Sequence, residues 1–237
     1  MKKIFALVLC LMLALSMTAF AETATTGLNV VISEIELNVG SAMVVNPALT
    51  MSLGAEADSV WVEIGATLNG ENVVVGQAEM KNDEMCISFD GANDVLQVVN
   101  ADALLEAQNA GMTTAQLIET LSTSASQLNA ETAATLIESL PDTLEGLTVE
   151  KLGELDYKLA YEAEGYGASL RITMAFGVEK DFDFSAKNLV VVEDLDNLPE
   201  NDVLTVAEEQ INTLMAEESV VNLVTLVSSV LSSIEAA

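Results

Sequence analysis

The sequence predicts an α+β fold: an antiparallel curved sheet with helices packed over one face, preceded by a cleaved signal peptide. Three observations carry this expectation. Apolar and polar residues alternate over 28–90 and again over 154–192, the period of strands with one buried face. Between 100 and 140, and from 202 to 235, the apolar spacing changes to three and four, the period of helices. No Pro-rich or Gly/Ser-rich linker interrupts residues 22–237, so one α+β domain is expected there.

Residues 1–21 have the make-up of a secretory signal peptide. Lys2 and Lys3 give a positive start, Ile4 to Leu15 form an apolar core, and Ala19-Phe20-Ala21 puts small residues where a signal peptidase reads them. The core is shorter than the roughly 18–20 apolar residues a membrane span needs. Leu9 precedes Cys10 and the apolar run continues past it, which does not fit a lipoprotein box. Cleavage after Ala21 is therefore expected, leaving a secreted or extracytoplasmic chain from Glu22 to Ala237. Losing Lys2 and Lys3 leaves 6 of the 8 basic residues against all 37 acidic ones, a net charge of −31. Cys86 remains as the single cysteine, so no internal disulfide can form. With 51 % apolar residues the chain is unlike acidic disordered sequences and can bury a core.

Within the first strand region, Ile35, Leu37 and Val39 alternate with Glu34, Glu36 and Asn38, and Leu49, Met51 and Leu53 with Thr50 and Ser52. Val60, Val62, Ile64, Ala66 and Leu68 share one face; Trp61, Glu63 and Thr67 take the other. Val74, Ala78 and Met80 oppose Met85, Ile87 and Phe89 across a turn at Asn82-Asp83. A two-residue Asn69-Gly70 turn would put Leu68 opposite the wrong apolar set, because a slip of one residue reverses every side chain. An odd-numbered loop over 69–72, with a bulge beside it, is expected to restore the match.

Asn100 caps a short predicted helix through Leu104 and Leu105 that ends at Gly111. Thr113 with Gln116 fits a capping box ahead of Leu117, Ile118 and Leu121. Ser122, Thr123 and Ser124 mark a break, and a third segment with Leu128, Leu136, Ile137 and Leu140 stops at Pro141. After a link over 146–153, Leu155, Tyr157, Leu159 and Tyr161 form one apolar row and Leu170, Ile172, Met174 and Phe176 the next. Phe182 and Phe184 are assigned to a third strand. Beyond Pro199, Leu204, Ala207, Ile211 and Leu214 make one helical stripe, and Val220, Leu223, Val227, Val230 and Ile234 another.

The chain contains no histidine, which removes Ser-His-Asp and Cys-His catalysis and the usual zinc sites. Walker and dinucleotide fingerprints are missing, and Gly165-Tyr166-Gly167 reads as a turn. Cys86, between Met85 and Ile87, reads as a half-buried strand position rather than a nucleophile. A carboxylate-pair hydrolase is a remote alternative, because the few aromatics fall on expected core faces. Asp194, Asp196, Glu200 and Asp202 share one loop, but Pro199 and Thr205 stand where an EF-hand needs Gly and Glu. That loop is expected to be solvated, with Asp202 capping the next helix. No metal and no cofactor are expected. Lys151, Lys158, Arg171, Lys180 and Lys187 are dispersed among acids, which excludes nucleic acid as a partner. The segment Val220–Ile234 is too short and too hydroxyl-rich for a stable membrane span.

A sheet with one long apolar face, helices in the middle and a closing apolar helix resembles the half-barrel of the LolA/LppX-type lipoprotein carriers. The resemblance is architectural, covers about residues 28–215 and transfers no binding residue. It implies an acyl chain or lipid between sheet and helices. Methionine is flexible enough to line a variable cavity, so the expected lining residues are Met51, Met80, Met85, Met174 and, beside them, Phe176. The leading expectation is thus a non-catalytic extracytoplasmic protein that binds an apolar small molecule. The alternative is a structural or interaction domain of the cell exterior with a basic protein partner.

Overall fold

In the computed structural model the described residues are 27–39, 41–56, 58–103, 113–125, 129–143, 146–163, 166–180, 182–193 and 197–225. The expected signal peptide over 1–21, the helix expected through Leu104 and Leu105, and the stripe beyond 225 lie outside them.

The fold is α+β, built on one large, mostly antiparallel, curved sheet. Its strands are β1 (Leu28–Val39), β2 (Ser41–Val45), β3 (Ala48–Ala55), β4 (Ser59–Leu68), β5 (Glu71–Lys81) and β6 (Glu84–Phe89), then β7 (Asp94–Val99), β8 (Leu147–Lys151), β9 (Asp156–Ala163), β10 (Tyr166–Phe176) and β11 (Asn188–Val192). Across the sheet they run β11-β7-β6-β5-β4-β3-β1-β10-β9-β8, with β2 pairing the far end of β1 beyond β3. Every pair is antiparallel except β11, which lies parallel to β7.

Two parity mismatches in the sequence are absorbed by bulges. The β4–β5 turn is the two-residue Asn69-Gly70 after all, not an odd loop, with both residues at positive φ (54° and 85°). The extra residue sits in β5 instead: Thr67 pairs Asn72 while Ala66 pairs Val74, so Val73 is bulged out. Val74, Ala78 and Met80 thereby face Ala66, Val62 and Val60, as the apolar pattern requires. In β1, Ser33 pairs Arg171 but Glu36 pairs Ser169, an extra residue at Glu34–Ile35. Glu34 takes a positive φ of 49° there. The bulge lets odd-numbered Leu37 join even-numbered Leu28, Val30 and Ile32 on one face, since Leu37 pairs Ala168 and Ile32 pairs Ile172.

Three assignments made from sequence are corrected at the sheet's ends. Asp94–Val99 is a strand, β7, with Val95, Leu96 and Val98 buried, whereas the alternation had been ended at Asp90. The link over 146–153 contains edge strand β8. Phe182 and Phe184 are not in a strand. They lie on the crossover from β10 to β11, which runs over the sheet's outer face, where Phe182 meets the edge of Trp61 at 5.9 Å. Lys187 ends that crossover by donating to Ser88 Oγ (2.7 Å) and to the carbonyls of Ala92 (2.9 Å) and Phe89 (3.2 Å).

The helices are α1 (Thr114–Ala125), α2 (Ala130–Thr143) and α3 (Val203–Met215), with further helical residues at 101–103 and 218–225. The capping box of α1 forms reciprocally: Thr113 Oγ1 accepts from Gln116 N–H at 3.2 Å and Gln116 Oε1 from Thr113 N–H at 2.9 Å. Helix α1 continues through Ser122–Ser124, so the hydroxyl run does not break it. Helix α2 starts on a second reciprocal box, Asn129 with Thr132, and runs two residues past Pro141, which has no N–H to give the Ile137 carbonyl one turn back. Asp202 stands at the N-cap of α3 without capping it. Its carboxylate accepts from Asn93 and Asp94 N–H, tying α3 to the start of β7, and Asn201 Oδ1 takes the Leu204 N–H instead. The inward stripe of α3 is Val203, Val206, Ala207 and Leu214, which keeps Ala207 and Leu214 of the expected stripe and puts Val203 and Val206 in place of Leu204 and Ile211.

Candidate functional site: the apolar inner face

Cross-strand partners in an antiparallel sheet share a face. One apolar surface can therefore be followed from Leu96 and Val98 of β7 through Ile87, Ala78 and Val62 to Met51, Val30 and Met174. It goes on through Ile172, Leu170 and Leu159 to Val149 of β8. The helices cover this inner face unevenly. Helix α3 packs on β5–β7 and α1 on β3–β5, while α2 packs on β8 at the opposite edge. Beneath α1 and α3 the surface is a closed core that includes Val60, Val62, Leu96, Leu117, Ile118, Val203 and Ala207. Between α1 and α2 no described helix packs comparably on β1, β10 or β9. There Val30, Ile32, Met51, Leu159, Leu170, Ile172 and Met174 are only half-buried, and Leu49 is 42 % exposed.

The five residues expected to line a ligand all lie on this face but divide into two sets. Met80 and Met85 are direct partners across β5–β6, each 1 % exposed, and belong to the closed core. Met51 and Met174 flank Val30 on neighbouring strands, with Phe176 paired to Leu28 one step along. These three half-buried residues are the ones on the partly covered surface. The hollow bounded by Val62, Ile64, Ala78, Ile87 and Phe89 has a cavity volume of about 10 Å³, room for about one water and not for an acyl chain.

A polar group that sequence reasoning missed closes the far end of that surface. Tyr157 (β9) is fully buried and pairs Ile172 on one side and Lys151 (β8) on the other. Glu138 of α2 comes down on both: its Oε1 accepts from Lys151 Nζ at 2.8 Å and from Tyr157 OH at 3.2 Å. The Lys151 ammonium also lies 5.6 Å from the Tyr157 ring centre. Hydrogen bonds from Lys151 and Tyr157 hold the Glu138 carboxyl below its ordinary range, and the bond to Glu138 raises Lys151. The signal was available in the sequence, because Lys151 falls at the end of the Tyr157 row once the 146–153 link is a strand.

Three other cations are paired elsewhere. Lys81 pairs with Asp58, and Lys180 with Glu63 of the outer face. Arg171, also on the outer face, grips Asp156 with two hydrogen bonds (2.8 and 2.6 Å) and reaches Glu34 at 2.7 Å. Burial pushes the Cys86 thiol up to about 11, helped by Glu79 and Glu84, so it is protonated and a poor nucleophile at neutral pH. Of the acidic loop, 194–196 lie outside the described residues. Among the described residues no group of three acidic or cysteine side chains is set to hold a metal, and no helix is long and apolar enough to cross a membrane. No family model matches the chain, and no curated protein matches it.

Proposed function

We propose that this chain, after losing residues 1–21, is a non-catalytic extracytoplasmic carrier that holds an apolar molecule against the inner face of its sheet. The observation that carries the reading is the half-buried apolar surface over β1, β10 and β9, flanked by α1 on one side and α2 on the other. Leaving aliphatic side chains half in water forgoes roughly 25 cal/mol for each Å² of apolar area exposed, and a bound chain would recover it. In the LolA/LppX-type carriers that the sequence resembles, acyl chains occupy the corresponding space, and the same use is proposed here. The test is titration of the chain 22–237 with a fluorescent lipid, alongside native mass spectrometry of the purified protein. Saturable binding that displaces no helix core, or a co-purified lipid, supports the reading; a folded protein that binds no apolar probe defeats it.

A second reading, an interaction domain, is favoured by one feature. Edge strand β11 presents Leu189 and Val191 at 55 and 45 % exposure, and an open strand edge can accept a partner strand. Light scattering that finds a stable oligomer, broken by charged substitutions at these two positions, would favour it over the carrier.

A further inference from the structure

Six cations lie between Glu22 and Ala237, and five of them are directed away from the inner face. Lys81, Lys158 and Arg171 alternate with inner-face residues on β5, β9 and β10, while Lys180 and Lys187 bind groups of the outer face. Lys151, the cross-strand partner of Tyr157, is the one cation on the inner face. A chain with 37 acidic residues repels anions in general. A single ammonium at the end of an apolar row is therefore the place where an anionic head could be accepted, next to a buried phenol that donates in the same direction.

Resting on the carrier role proposed above, we infer that the ligand is a long-chain fatty acid whose carboxylate takes the place of Glu138 on Lys151 and Tyr157. One carboxylate oxygen already accepts from both donors, so the geometry a fatty-acid head requires is built and occupied by a side chain. Tyr157 has one proton to give; its other acceptor, the Glu154 carbonyl, is farther away at 3.5 Å and uncharged. Exchange of one carboxylate for another keeps the charge at Lys151 balanced and releases Glu138 to water. Helix α2 packs on edge strand β8 and leaves the closed core under α1 and α3 untouched when it shifts. From Tyr157 on β9 the apolar row crosses β10 and β1 to Leu49 on β3, three strand spacings or roughly 14 Å. A chain of about sixteen carbons covers that distance and continues to Met51, passing Ile172, Ile32 and Leu49.

The experiment displaces the neutral dye Nile red from the chain 22–237 with palmitate and, separately, with uncharged methyl palmitate. Palmitate is expected to compete about three to ten times better than the ester, the worth of a partly exposed charge pair with one phenol bond. Glu138→Ala removes the competing carboxylate and should strengthen palmitate by a similar factor while leaving the ester within about twofold. Lys151→Met and Tyr157→Phe should each cut the palmitate advantage, with circular dichroism unchanged; the phenylalanine variant keeps the buried ring. Equal competition by acid and ester, insensitive to all three substitutions, overturns the carboxylate assignment and leaves the carrier role standing. Failure of the folded protein to bind dye, acid or ester overturns the carrier role itself.

Discussion

Trp61 is the only tryptophan of the chain, and it points to the polar side of β4, where alternation puts it beside Glu63. It is nevertheless buried, because the β10–β11 crossover lays Phe182 against it and two glycines make room for the indole. A Cβ at Gly54 would stand 2.3 Å from Trp61 Cζ2, closer than real contacts allow. Gly54→Ala should therefore push the indole out, costing about 1–3 kcal/mol as overpacking does, and Trp61 emission should move to the red. An unshifted emission maximum with unchanged stability would contradict this packing. Asp156 supports a second expectation. The Arg171 hydrogen bonds hold its carboxyl below the ordinary range, with Thr173 adding to the effect. A carboxyl with a lowered folded pKa stabilises the protein fully above its unfolded pKa, about 4, and loses that contribution as pH falls through the folded value. Asp156→Asn should lower the melting temperature at pH 7 and flatten its decline below about pH 4. A variant as acid-sensitive as the parent would show that the pair is solvent-screened to nothing.

At the level of elements, the alternation of strands was readable and its interruptions were not. The face shared by Val60, Val62, Ala66, Val74, Ala78 and Met80 follows from period two alone, and the sheet obeys it. The expected odd loop was the wrong device to reconcile the two strands, because a bulge shifts parity by the same single residue. Asn-Gly decides for the two-residue turn, since both residues tolerate positive φ, and Val73 takes up the difference. Strands β7, β8 and β11 were harder to see at five or six residues, too short for alternation to stand out. Losing β8 from the reading also hid the Lys151–Tyr157–Glu138 group, while the inner-face position of Met51, Met174 and Phe176 was legible from their rows. Methionine content could not separate these from Met80 and Met85, because cover depends on where α1 and α3 land. The role of the bulge can be tested. Deleting Val73 should straighten β5 with Val74 still opposite Ala66, so Val74, Ala78 and Met80 stay inward and the variant should keep a cooperative melt. Deleting Val73 and Val74 together would set Ala66 opposite Val75, turn Ala78 and Met80 outward and should abolish soluble folding. Loss of folding in the single deletion, or cooperative folding of the double one, would refute this account of the register.

For the molecule as a whole, the decisive quantity is charge. The full sequence carries −29, and residues 22–237 alone −31, on a sheet whose inner face is apolar and whose ion pairs are few among the described residues. Most of that charge has no counter-ion in the protein: against 37 acids stand six cations of residues 22–237, and four of them, Lys81, Lys151, Arg171 and Lys180, already pair with Asp58, Glu138, Glu34 and Asp156, and Glu63. Compaction brings the remaining carboxylates together, so repulsion opposes folding. Salt acts on the two sides of this balance unequally. Exposed ion pairs are each worth at most about 1 kcal/mol and lose part of that on screening, but they are outnumbered by unpaired acids. Shortening the range of repulsion to about 8–10 Å at 0.1–0.15 M ionic strength removes many long-range terms at once. The melting temperature of the chain 22–237 should therefore rise with NaCl from 10 mM to 0.5 M, most steeply at the low end where the screening length changes most. Magnesium and calcium should act alike at equal ionic strength, since no described group of side chains is arranged to chelate. A melting temperature that falls with salt would mean that the ion pairs dominate the balance. A saturable gain with calcium alone would mean that a dedicated oxygen-ligand site contributes as well.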